Sequence, residues 1–212
     1  MPVIDRIGEF REDMQAWRRD IHRHPEIAFQ EHRTADIVAE NLSAWGIEVH
    51  RGLAGTGVVG LLNGAQGSGR MIGLRADMDA LPIQETNDFA HRSVHDGKMH
   101  ACGHDGHTAM LLGAARYLAE SRNFSGRVAL IFQPAEEGEG GARVMIEEGL
   151  FDRFPVEAVY GMHNMPGKAA GRIEVRPGPL LASSDAFDIT VTGVGAHAAM
   201  PHQGVDPVVV AA

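Results

Sequence analysis

Thr108–Gly138 reads TAMLLGAARYLAESRNFSGRVALIFQPAEEG. From Thr108 to Ala119, the residues Leu111, Ala114, Ala115 and Leu118 recur at spacings of three and four, which is the inward face of a helix. Val128 to Phe132 follows as an apolar run of strand length. Downstream, Gly141 to Glu148 reads as a helix and Ala158 to Met162 as another strand. Upstream, Val58 to Leu62 and Met71 to Leu74 are short buried strands separated by the Gly/Ser-rich turn Asn63 to Gly69. Ile37, Val38, Leu42 and Trp45 mark a helix that Gly46 ends. Ile4, Ile7, Phe10, Met14, Trp17 and Ile21 form one face of a first helix, broken near Pro25. Helices alternating with strands predict an α/β sheet covered by helices, with the site at the C-terminal ends of the strands.

The pattern changes after Pro177-Gly178-Pro179. Asp185 to Val191 alternates apolar and polar residues (Phe187, Ile189, Val191), as in a half-exposed strand. Asp206-Pro207 is an N-cap followed by proline at the first helical position, opening a helix over Val208 to Ala212. The expectation is a first domain over residues 1–180 and the beginning of a second over 181–212.

The 212 residues are 44% hydrophobic and carry a formal net charge of -9. That balance argues against nucleic acid and anionic membranes as partners. Met1 to Arg6 has neither the basic start nor the apolar run of a signal peptide. No apolar stretch reaches the ~18 residues of a membrane span. A cytoplasmic protein is expected. One cysteine, Cys102, excludes an intrachain disulfide.

Histidine is unusually clustered: five of the 12 lie between His91 and His107. In Met99-His100-Ala101-Cys102-Gly103-His104-Asp105-Gly106-His107, thiolate and imidazole suit zinc-like ions. The intervening glycine lets both side chains converge. Read alone, the stretch is equally a buried cysteine beside surface histidines. In Phe132 to Gly138, adjacent Glu136 and Glu137 point in different directions on extended chain. One could bind metal while its neighbour, its own pKa raised by like charge and partial burial, faces the substrate water; acids decorating a helix N-terminus are the plainer alternative. His163 follows another strand. Asp77 and Asp79 leave a third, and an aspartate there could orient a ligand histidine or simply cap a turn. His22, His24 and Glu26 read as structural caps around Pro25, His91 and His95 as exposed-loop residues, His107 as facing outward, and Trp17 and Trp45 as core.

Together these stretches resemble the M20 metallopeptidases, in their aminoacylase and hippurate-hydrolase-type amidohydrolase branch. The matching segments are Arg18 to Glu26, Arg75 to Pro82, Met99 to His107, Gln133 to Gly138, Gly161 to Asn164 and Gly195 to Pro201. The resemblance implies a mixed sheet flanked by helices, as in zinc exopeptidases, with the start of a smaller α+β lid or dimerisation domain. It implies Cys102, His104, Glu137 and His163 as metal ligands, Glu136 as general base and Asp79 behind the ligands. His197 would bind substrate and the oxyanion. Two divalent ions per full-length subunit (zinc, manganese, cobalt or nickel), an N-acyl amino acid substrate and a homodimer or higher homo-oligomer are likewise implied. Family members continue past Ala212, and their further residues supply another ligand histidine. The competing expectations are a cysteine hydrolase built on Cys102, a non-catalytic fragment with one structural metal, and a dipeptidase- or carboxypeptidase-like peptidase.

Overall fold

The computed structural model describes residues 4–182 and 185–212. The chain forms two compact units, Met1–Ala170 and Gly171–Ala212. The first holds five strands, β1 (Glu48–Leu53), β2 (Gly57–Asn63), β3 (Met71–Asp77), β4 (Arg127–Gln133) and β5 (Ala158–Gly161), in the order β1-β2-β4-β3-β5. β1 and β2 form an antiparallel hairpin, and β2 is antiparallel to β4. β3 runs parallel to both β4 and β5. The sheet is therefore mixed, as expected.

Its helices are α1 (Asp5–Glu9), α2 (Arg11–Arg23), α3 (His32–Ala44), α4 (His104–Ser121), α5 (Gly141–Glu147) and α6 (Leu150–Arg153). Strand β4 explains why both faces need cover. Val128, Leu130 and Phe132 enter one core with Val38 and Leu42 of α3 and Leu111, Leu112 and Ala115 of α4. Ala129 and Ile131 enter another with Met145, Leu150 and Phe154. Side chains alternate across a strand, so an unbroken apolar run means two buried faces. Each fully buried Leu or Phe side chain contributes about 1.5–3 kcal/mol. Trp17 and Trp45 pack partly buried against the first core.

Two elements differ from the sequence expectation in the first unit. The opening helix is split at Phe10, which is buried between α1 and α2. Strand β1 has no clear apolar alternation because it is an edge strand, mostly exposed and irregular between Arg51 and Leu53. The parallel unit β3–α4–β4 carries the site: α4 crosses over between neighbouring strands, so the C-terminal ends of β3 and β4 and the N-terminus of α4 come together.

In the second unit, the expected strand over Asp185 to Val191 is not formed; Phe187 and Ile189 are 83% and 77% exposed. Alternation can choose a face, but a strand exists only where a neighbour takes its backbone hydrogen bonds, and no ladder partner occurs among the described residues. The closing helix does form as α7 (Pro207–Ala211), with Asp206 Oδ1 accepting the Val208 N–H at 2.9 Å. No helix among the described residues is long and apolar enough to cross a membrane.

Candidate metal centre

Gly103 sets the geometry at the mouth of α4. Its φ of 93° lies in the left-handed region, and a Cβ there would stand 2.5 Å from the Asn164 side chain. Glycine is thus the residue that lets the chain turn between Cys102 and His104 while Asn164 packs against it. His104 is fully buried at the first position of α4. Its Nδ1–H donates to Asp79 Oδ1 at 3.1 Å, which leaves Nε2 as the free lone pair. His163 is held the same way, Nδ1–H donating to the Asn164 carbonyl at 2.5 Å, with Nε2 against the Cys102 sulfur at 3.4 Å. A histidine fixed through one nitrogen presents the other in a defined direction, as metal-binding histidines do.

The carboxylates complete the cluster. His104 Nε2 lies 3.7 Å from Glu137 Oε1, 3.8 Å from Glu136 Oε2 and 3.7 Å from Asp77 Oδ2. Both His104 Nε2 and Glu137 Oε1 are buried without a hydrogen-bond partner. Leaving such an atom unpaired costs about 1–3 kcal/mol, and a cation seated between the two would satisfy both. The ligand atoms of Cys102, His104 and His163 lie within 4.8 Å of one another, and so do those of His104, Glu136 and Glu137. Thiolate, imidazole and carboxylate are the donor set of zinc-like divalent ions, so these residues fit such a metal.

Electrostatics agree with that fit. Burial opposes charge on His104, but Asp79 and Asp77 outweigh it and raise its pKa. Burial would likewise push Asp77 up, yet the His107 hydrogen bond and the Arg75 charge bring it down to about 2. Burial, Glu137 and Glu136 push the Cys102 thiol up to about 12. Nucleophilic cysteines sit in electropositive surroundings that lower the thiol pKa; this one faces carboxylates, which a cation would neutralise.

The site residues expected in the first unit, Asp79, Cys102, His104, Glu136, Glu137 and His163, thus converge. His197 belongs to the second unit, where its Nδ1 accepts the Ala199 N–H at 3.1 Å. Two plainer expectations need correction. His107 does not face outward: it is buried, its Nδ1–H donates to Asp77 Oδ1 at 2.6 Å, and its Nε2 accepts the Asn164 N–H at 3.0 Å. Although its nitrogens lie within reach of the same cluster, both are engaged by protein, so His107 is a wall of the site. His22 is not a cap: it is buried between Asp105 Oδ2 at 2.9 Å and Glu85 Oε1 at 3.1 Å. His24 and Glu26 do cap. The His24 ring bonds the Asp20 carbonyl at 2.9 Å, and Glu26 accepts the Arg33 and Thr34 N–H groups opening α3. His91 is partly buried and His95 exposed, both in the segment between β3 and α4. Sequence reasoning gave no role to Asn164, Asp105 or Glu31; the signal available for the first two was their place inside the histidine-bearing motifs.

The chain is similar to known proteins in sequence and in fold. The chain is 47% identical to the hippurate hydrolase of Campylobacter jejuni over 208 residues, covering 98% of this chain and 54% of that protein. It is 43% identical to thermostable carboxypeptidase 2 of Saccharolobus solfataricus, again covering 98% and 54%. Among solved structures, a dinuclear metal-binding peptidase of the M20 family from Bacillus subtilis superposes with a TM-score of 0.77 at 43% identity, over 82% of this chain and 48% of that one. The chain spans about half the length of the curated relatives it matches. The model of peptidase family M20/M25/M40 matches residues 73–212, from within β3 onward and through every strand-end motif just described, and the chain belongs to that family.

Proposed function

We propose that the protein of which this chain forms the described part is a metal-dependent amidohydrolase that cleaves N-acyl amino acids of the hippurate or N-acetyl type. The observation that carries the reading is the buried, unpartnered pair His104 Nε2 and Glu137 Oε1, 3.7 Å apart. Cys102, His104, Glu137 and His163 are proposed as ligands, and zinc, manganese, cobalt and nickel all suit that donor set. Bound divalent ions supply a water of lowered pKa and positive charge for a developing oxyanion.

Glu136 is the proposed general base. Its side chain is 42% exposed, whereas that of Glu137 is 25% exposed and turned to His104. Both carboxylates lie within 4 Å of His104 Nε2, and the more exposed Glu136 is the one open to an incoming water. Glu136 takes the proton of the water that attacks the amide carbon; the C–O bond forms, the C–N bond breaks, and the proton passes to the leaving amine. Asp79 holds His104 and the Glu137 backbone throughout. His197 is proposed to stabilise the oxyanion. With Nδ1 accepting from Ala199, its proton sits on Nε2, available for donation.

Cleavage of peptides in the manner of a carboxypeptidase is the second reading, favoured by the similarity to the Saccharolobus enzyme. Both readings use the same amide chemistry and differ in the acyl group. The test is metal content of the purified chain by mass spectrometry, with an assay of benzoylglycine, acetyl amino acids and dipeptides before and after chelation. Bound metal with chelator-sensitive release of amino acid supports the proposal, and the panel separates the two substrate classes. Bound metal without turnover keeps the centre and counts against hydrolysis by this chain alone. A chain that binds no divalent metal sinks the reading.

A further inference from the structure

The paired glutamates follow a backbone conformation that alanine seldom adopts. Ala135 has φ of 51°, in the left-handed region, and is fully buried. A non-glycine residue there is strained and persists only where its surroundings over-determine it. One partner stands out. Glu31, wholly buried just before α3, accepts the Ala135 N–H through Oε1 at 2.9 Å. The same oxygen accepts the Phe29 N–H at 3.1 Å, and Phe29 is also left-handed, with φ of 59°. Its Oε2 accepts the Thr56 hydroxyl at 2.6 Å.

A buried carboxylate is expensive unless its lone pairs are satisfied. This one spends them on two left-handed turns and on the β1–β2 hairpin end. Other bonds on the loop are the Met78 N–H on the Gln133 carbonyl at 3.0 Å, the Gly141 N–H on the Ala135 carbonyl at 2.9 Å and the Gln133 side-chain amide on the Pro134 carbonyl at 3.4 Å. Beyond the turn, Asp79 Oδ2 holds the Glu137 N–H at 2.9 Å. Glu31 is thus the side chain that takes the Ala135 N–H at the entry to Glu136–Glu137, as Asp79 takes the Glu137 N–H beyond it.

We propose that Glu31 is a positioning residue of the metal centre, holding the turn at Ala135 so that the Glu136 and Glu137 carboxylates both reach His104, 3.8 and 3.7 Å from its Nε2. The effect on metal binding rests on the reading of the two glutamates given above; the effect on the turn does not.

The test compares the full chain with Glu31→Ala, Glu31→Asp and Glu31→Gln. Zinc affinity is read by calorimetry and amide hydrogen exchange by mass spectrometry or NMR. Aspartate keeps the charge but withdraws it from Ala135. Glutamine keeps the reach, its oxygen accepting from Phe29 and Ala135 and its NH2 meeting the Thr56 hydroxyl. The expected result is selective loss of protection at Ala135, with zinc binding weakened about 10- to 100-fold, in the Ala and Asp variants. Glutamine should restore both. If Glu31→Ala does not fold, Glu31→Asp decides alone. Unchanged protection at Ala135, loss spread evenly over the β2–β4 ladder, a Gln variant as damaged as Asp, or unaltered zinc affinity in the Asp variant would each overturn the proposal. A native chain that binds no zinc overturns the metal reading instead, and the exchange pattern then decides on Glu31.

Discussion

Asp79 Oδ2 accepts the backbone N–H of Glu137 at 2.9 Å while Oδ1 of the same carboxylate holds the His104 ring at 3.1 Å. One side chain therefore sets both an imidazole direction and a loop position. Burial would push its pKa up, but the His104 hydrogen bond and the backbone N–H groups of Glu137 and Glu136 bring it below the usual range, so it stays ionised.

Asp79→Ala leaves the buried His104 without its partner. Breaking a buried pair of this kind costs about 3–5 kcal/mol, and loss of an orienting carboxylate typically weakens metal binding about 10- to 100-fold. Chemical denaturation and zinc calorimetry check the two effects. Asp79→Asn, which keeps an oxygen acceptor for one of the two contacts, should fall between wild type and Asp79→Ala.

Gly103→Ala meets two obstacles, the left-handed φ of 93° and a Cβ 2.5 Å from the Asn164 amide. The expected destabilisation is about 1–3 kcal/mol, with weaker zinc binding because Cys102 and His104 no longer converge. Thermal unfolding with and without zinc measures both. Zinc affinity equal to wild type would show that the turn does not set the donors.

Glu136→Gln keeps size and hydrogen bonding but cannot take a proton. In the full-length protein it should retain metal and lose turnover by about 100-fold or more. Turnover at the wild-type rate would remove Glu136 from the role of base.

The buried His22 is raised above its ordinary pKa of 6.5, first by the Asp105 hydrogen bond, against burial, with Glu85 adding to it. A raised folded-state pKa means that its contribution is fully present below pH 6.5 and is lost as pH rises through the folded value. Asp77 works in the opposite sense. Lowered from 3.8 to about 2, it contributes above pH 3.8 and loses that contribution as pH falls towards 2. Urea unfolding across pH should therefore show His22→Gln flattening the alkaline limb and Asp77→Asn the acid limb. A His22→Gln profile parallel to wild type between pH 6 and 9 would contradict the charged bridge to Asp105 and Glu85.

Much of this was legible in the residues themselves. The apolar run Val128 to Phe132 specified a strand with two covered faces, because side chains alternate and every residue was apolar. The spacing in Thr108 to Ala119 specified the helix that crosses over beside it, and Asp206-Pro207 specified a helix start through a local cap. The donor types at 102, 104, 136, 137 and 163 named the chemistry, because few purposes other than a divalent cation gather thiol, imidazole and carboxylate.

Tertiary structure decided what each of those residues touches. In the sequence His107 read as facing outward and His22 as a cap; Asp77 with Asn164, and Asp105 with Glu85, make them buried bridges. Asp185 to Val191 had the alternation of a strand and is not one, because pairing needs a neighbour that local pattern cannot provide. Glu31 carried no motif at all. Its partner Ala135 is 104 residues away, and contacts at that separation follow from the packing of α3 against the sheet, which no short-range spacing encodes.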